Sequence, residues 1–244
     1  FFFFYCRFCG SKIHVKHLIF EIVGFGLGMG TFAFFNTNIY FVIILFTGVF
    51  TLYLNALTDI EEGNIYDVFA LFPGVIGLMV RLVWDIFSVN NVHSYKYNCF
   101  APYINDIFAK ETPETFQFFK HILNSQTLDG IIGVLLGYVL FAGMIVFSKI
   151  ILKKEGMGWG DCTLAMGMGA LLGSKLLLVG LYIGFIFGGL AITPLIFLGI
   201  LKRTDTIPFG PALAVGFLIS LFFGPYIFNY FNLPLPWLFC LMRT

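Results

Sequence analysis

Charge is what this chain has least of. Lys, Arg, Asp and Glu together make up 11% of its 244 residues, against 59% hydrophobic residues, 33 Phe and a mean hydropathy of +0.92. A soluble domain of this length needs far more polar surface to cover its core, so that class is excluded. Basic clusters are missing too, and a formal net charge of +1 gives nucleic acid nothing to bind. Histidine is sparse: His14, His17, His93 and His121 pair with no Cys or Ser at triad or metal spacing and read as surface residues. The opening Phe1-Phe2-Phe3-Phe4 lacks an initiator Met, and no secretory leader pattern follows. The chain therefore reads as a piece of a longer protein with its true N-terminus, and a further helix, upstream.

What is present is a series of apolar segments long enough to cross about 30 Å of hydrocarbon. They lie at 18–35, 39–58, 67–87, 130–152, 161–174, 176–201 and 211–232. The expected fold is all-α, a polytopic protein of the lipid bilayer with about seven transmembrane helices. Their apolar residues run all round each segment, as lipid-facing helices require. Tyr53, Trp84, Trp159 and Tyr230 stand near segment ends, where amphipathic rings favour the interface. The fifth segment is short and carries Gly167, Gly169 and Gly173, which predicts a helix that is tilted or buried against small-residue neighbours.

Domain organisation follows the segments. Residues 1–17 form a stub with a C-x-x-C pair, 18–232 the membrane domain, 88–129 a polar loop with a short helix at 113–124, and 233–244 a tail. Arg7, Lys12 and Lys16 precede the first segment, Lys153 and Lys154 follow the fourth, and Lys202 and Arg203 follow the sixth. Alternating spans put all of these on one side, which the positive-inside rule makes cytoplasmic.

On that topology two carboxylates meet at one boundary. Asp59 closes the second segment, and Asp161 opens the fifth after Glu155-Gly156-Met157-Gly158-Trp159-Gly160. Ionisable groups at membrane depth are expensive and mark function by default. Two carboxyls that share a proton cannot both ionise cheaply, so one acts as base on a water while the other donates to a carbonyl. The pair suggests an aspartic protease that needs no cofactor for proteolysis. The glycines beside Asp161 leave room for a substrate backbone. Plainer readings compete. Asp161 is also placed to be an N-cap, Glu61 and Glu62 share a turn with Asp59, and Asp67 and Asp129 read as caps of the third and fourth helices. Paired membrane aspartates also carry ions or protons in transporters, the alternative from a different class. Against it, no inverted repeat is visible between the halves, and both aspartates lie at a boundary, not the midplane.

Four elements in order resemble the bacterial type IV prepilin peptidases. Gly158-Trp159-Gly160-Asp161 matches their G-x-G-D. Asp59 stands eight residues before Asp67 of Ile65-Tyr66-Asp67, where the family has I-P-D. Ile207-Pro208-Phe209-Gly210-Pro211 matches I-P-F-G-P without change, and Cys6-Arg7-Phe8-Cys9-Gly10 with Glu21 matches C-R-x-C-G. The resemblance implies an endopeptidase of the bacterial inner membrane, its active site facing the cytoplasm. It would remove the basic leader of prepilins or pseudopilins with Asp59 and Asp161 as the catalytic pair. Gly158, Gly160, Asp67, Pro208 and Gly210 would support that pair. It also implies S-adenosylmethionine where the family N-methylates the new N-terminus, an activity that belongs with a region incomplete in this chain. Cys6 and Cys9 are half of a four-cysteine zinc site whose other half, in the family, is an earlier C-x-x-C. A preflagellin peptidase or another G-x-G-D protease is the nearer alternative.

Overall fold

Apolar runs that must satisfy every backbone group without water can do so only as helices or closed barrels, and these runs lack the alternation of strands. The computed structural model describes residues 15–34, 39–90, 126–152, 158–197 and 209–230, and all of its regular structure is helical. The helices are α1 (Val15–Phe34), α2 (Ile39–Glu62), α3 (Asp67–Asn90), α4 (Gln126–Leu152), α5 (Trp159–Leu172), α6 (Ser174–Phe197) and α7 (Gly210–Tyr230). Each coincides with one expected segment. Val42–Glu62, Gln126–Ile151 and Ser174–Ala191 are long and apolar enough to cross a membrane, while Leu18–Phe34 and Gly210–Gly224 are shorter apolar stretches. Val68, Phe147, Ile150, Tyr182 and Leu190 all face outward, as lipid-facing side chains do.

Several expected boundaries move. Helix α3 continues to Asn90 and α4 begins at Gln126, so both reach into the loop expected at 88–129. The helix expected at 113–124 lies outside the described residues, as do the 1–14 part of the stub and the 233–244 tail. Helix α6 holds Pro194 within it and is described as far as Phe197, short of the 201 expected.

The short α5 is the centre of the bundle, packed by α3 on one side and α4 on the other. Nearly every residue from Asp161 to Leu172 is buried. Glycine makes that approach close. A Cβ on Gly167 would collide with the Ala70 carbonyl of α3, and one on Gly74 would lie 2.8 Å from the Gly167 carbonyl. On the α4 side, Gly133 faces Gly169, and a Cβ on Gly137 would lie 2.8 Å from the Ala165 carbonyl. Small residues that let backbones touch are how helices associate where lipid is as apolar as the side chains. Of the two arrangements expected for this segment, burial against small residues is the one adopted. The α6–α7 pair repeats the device: a Cβ on Gly180 would lie 2.6 Å from Phe217 Cδ1, and one on Gly188 2.6 Å from Phe209 Cε2.

The far end of α5 is fastened by charge. Arg81 of α3 is fully buried; its Nη1 donates to the Gln126 carbonyl at 2.8 Å and pairs with Asp129 at 3.3 Å, while Nη2 donates to the Leu171 carbonyl at 3.1 Å. Asp129 also accepts the Ser174 N–H at 3.2 Å and the Ser174 hydroxyl, which brings in α6. The expected capping of α4 by Asp129 is thereby corrected. The first free N–H groups of α4, on Gln126 and Thr127, donate instead to Asp85 of α3 at 3.1 and 2.9 Å. Asp129 stands one turn further in and is drawn to the buried guanidinium.

Gly167→Ala is expected to lower stability by about 1–3 kcal/mol or more, the cost of overpacking against backbone. Gly26→Ala, whose Cβ would meet open space, should leave the thermal midpoint in detergent nearly unchanged. Arg81→Met should cost about 3–5 kcal/mol, because it strands the Asp129 carboxylate, and the same unfolding measurement reads it.

Candidate active site

Asp59 lies in the last turn of α2, not beyond it, because the helix continues to Glu62. Gly63 then ends it with a left-handed φ of 67°, and its N–H donates to the Asp59 carbonyl at 3.0 Å, a glycine C-cap. The Asp59 side chain is buried with 6% exposure, and its Oδ2 accepts the Gly210 N–H of α7 at 2.8 Å. That N–H is one of the donors a helix start leaves free, so a carboxylate there meets both a hydrogen bond and the positive end of the helix dipole. The chemistry demands glycine at this contact. A Cβ on residue 210 would lie 2.6 Å from Asp59 Oδ2.

Asp161 is the third residue of α5 and 7% exposed. The N-cap is Gly158, extended at φ −79° and ψ 151°, so the reading of Asp161 as N-cap is corrected by three residues. Its carboxylate lies beside that glycine, with Oδ2 3.9 Å from where a Cβ on Gly158 would stand. The two aspartates come from different helices and are near enough for the charge of Asp59 to act on Asp161.

The turn between α2 and α3 closes the site's edge. Gly160 faces Ile65, whose Cβ a side chain at 160 would approach to 2.7 Å. Asp67, expected to cap α3, is instead the first residue of that helix and lies exposed; its Oδ1 accepts the Thr163 hydroxyl of α5 at 2.8 Å. Tyr66 stands where the family has proline. Its carbonyl accepts the Ala70 N–H, and its hydroxyl donates to Glu62 at 2.8 Å, so the turn is closed without the proline ring. Glu61 and Glu62, the rivals of Asp59, are exposed. Pro208, Cys6 and Cys9 lie outside the described residues. Among the described residues no group of three or more His, Cys, Asp or Glu could hold a metal ion.

Two polar residues escaped the sequence reading. Thr163 sits two residues after Asp161, and its link to Asp67 crosses 96 positions of chain, which no local pattern reveals. Asn55 is fully buried one turn before Asp59, with Nδ2 donating to the Thr51 carbonyl at 3.2 Å and Oδ1 without a hydrogen-bond partner. An amide inside an apolar run, four residues from the aspartate it shares a face with, was the available signal.

Residues 115–193, which hold α4, α5 and most of α6, match the type IV leader peptidase family. The proteins similar to this chain include a prepilin leader peptidase/N-methyltransferase of Aeromonas salmonicida strain A449, 34% identical over 103 residues. The match covers 42% of this chain and 35% of the relative. A type 4 prepilin-like proteins leader peptide-processing enzyme of Escherichia coli O78:H11 is 31% identical over 116 residues, 47% of this chain and 37% of that protein. A prepilin leader peptidase/N-methyltransferase of Pseudomonas aeruginosa is 30% identical over 99 residues, 41% and 34% of the two chains. The matched part thus spans about a third of the length of these leader peptidases. No solved structure matches the chain.

Gly210→Ala should push the Asp59 carboxylate off its N–H and cost about 1–3 kcal/mol. Adding Asp59→Ala removes the colliding oxygens, so the double variant should be less destabilised than the sum of the two single changes. Thermal unfolding of the four proteins in detergent measures that difference.

Proposed function

We propose that this chain is a membrane aspartic endopeptidase that removes the leader of type IV prepilins or pseudopilins. The observation that carries the reading is the pairing of two buried carboxylates, Asp59 and Asp161, from separate helices at one end of the bundle. The names of the relatives supply the substrate class. Asp59 and Asp161 share one proton; the ionised partner takes a proton from a water, and the protonated one donates to the scissile carbonyl as the water adds. Titration belongs to the pair, not to either member. The Asp59 carboxylate is steadied by the Gly210 backbone N–H, which fixes its direction without a side chain that could compete for the proton.

The site faces the cytoplasm of a bacterial inner membrane in this reading. Its support is the placement of basic residues: Lys153 and Lys154 precede α5, and Lys202 and Arg203 precede α7, at the helix ends that carry the two aspartates' contacts. A substrate with a basic leader and an apolar segment would present its junction at that boundary. N-methylation of the new N-terminus, named in several relatives, would draw its methyl group from S-adenosylmethionine. A structural zinc takes four ligands, of which Cys6 and Cys9 would supply two.

Purified chain in liposomes, given a prepilin precursor and separately a preflagellin precursor, tests the reading. Wild type should release the prepilin leader. Asp59→Asn and Asp161→Asn, each checked for an unchanged helical spectrum, should lose at least about 10²–10⁴ of the rate. Full cleavage by either variant removes that residue from the site, and faster cleavage of the preflagellin reassigns the substrate.

A further inference from the structure

At the end of the bundle that carries the aspartates, little of the α2–α3 turn is buried. From Ile60 to Phe69, across the end of α2, the turn and the start of α3, every residue is exposed except Ile65, which is half-buried. The close backbone packing of α3 on α5 begins only at Ala70 and Gly74. Above that level Ile65 of the α2–α3 turn lies against Gly160 of α5, and Asp67 Oδ1 accepts the Thr163 hydroxyl at 2.8 Å. Asp59 lies before this turn and Asp161 two residues before Thr163, so the same bond bridges the two chain segments that carry the pair.

We propose that the Thr163–Asp67 hydrogen bond is a spacer that sets the separation of Asp59 and Asp161, with Thr163 as its positioning residue. The Thr163 hydroxyl has one proton and two acceptors within reach, Asp67 Oδ1 at 2.8 Å and the Gly160 carbonyl of its own helix at 2.9 Å. A carboxylate is the stronger acceptor, so the proton goes across the helix boundary and not along it. The bond is exposed and adds little to global stability, yet the reacting geometry of a carboxylate pair is sensitive to displacements of an ångström. Neither Thr163 nor Asp67 touches substrate in this scheme; both act through the placement of Asp161 relative to Asp59.

The kinetic arm of the test rests on the leader-peptidase reading, and the distance arm does not. Nitroxide labels on Ile60→Cys and Trp159→Cys, both exposed positions flanking the pair, report the spacing by pulsed electron resonance. The five native cysteines are replaced beforehand by alanine. Thr163→Val, which keeps the shape and removes the hydroxyl, should broaden the label-to-label distribution, and Thr163→Ser should restore it. On prepilin cleavage, Thr163→Val should lower kcat about two- to tenfold with KM unchanged, the range expected for one hydrogen bond. Asp67→Ala should lose as much, and Asp67→Ala with Thr163→Val no more than either alone. An unchanged distance distribution in Thr163→Val overturns the spacer whatever the cleavage rate. Failure of serine to restore it also overturns the spacer, because a hydroxyl at this position then does not set the distance. If wild type cleaves no prepilin, the leader-peptidase reading falls and the distance arm alone decides the spacer.

Discussion

Burying a helix inside other helices, with lipid offering no hydrophobic advantage to the process, requires that backbones come close enough for van der Waals contact to decide. Helix α5 meets that requirement with Gly167 and Gly169, answered by Ala70 and Gly74 on α3 and by Gly133 and Gly137 on α4. Everything at the candidate site depends on this packing. It seats Asp161 at the head of a helix with almost no lipid-exposed surface, and it draws α3, with the turn that follows Asp59, against the same helix.

Carboxylates in such surroundings need partners that stabilise charge without neutralising it. Backbone N–H groups at helix starts meet the need, since they donate a hydrogen bond and lie at the positive end of the helix dipole. Asp59 uses the start of α7 and Asp161 the start of its own helix. The opposite end of the bundle follows the other strategy. There Arg81 pairs with Asp129 and donates to two backbone carbonyls, and an ion pair held by those further bonds makes a rigid joint. One chain thus treats its buried charges in two ways, leaving one pair chemically open and closing the other.

Much of this was legible in the residues. Every helix was foreshadowed by an apolar run, because hydrophobic length is a strong signal in lipid. Of the residues singled out, Gly158-Trp159-Gly160-Asp161 forms a helix start and Gly210 is the donor to Asp59. The caps were read less well. Asp67 and Asp129 sit where caps belong in sequence, but each is captured by a partner on a distant helix, Thr163 in one case and Arg81 and Ser174 in the other. Local propensity describes what a free helix end wants; a bundle offers it competing partners that no window of a dozen residues contains. Thr163 and Asn55 were missed for the same reason, since their significance lies in what faces them.

The length of α5 bears on how such a protein is made. Fourteen residues give a helix of about 21 Å, short of the roughly 30 Å of hydrocarbon, and its flanks are glycines where other helices carry bulky side chains. A translocation channel that releases segments sideways into lipid according to their apolar length would find little reason to release this one alone. It gains its place when α3 and α4 are already beside it. Biogenesis of the fold is therefore a cooperative event, in which the segment bearing Asp161 enters the bilayer as a guest of its neighbours, so that the site is assembled in the same step as the bundle.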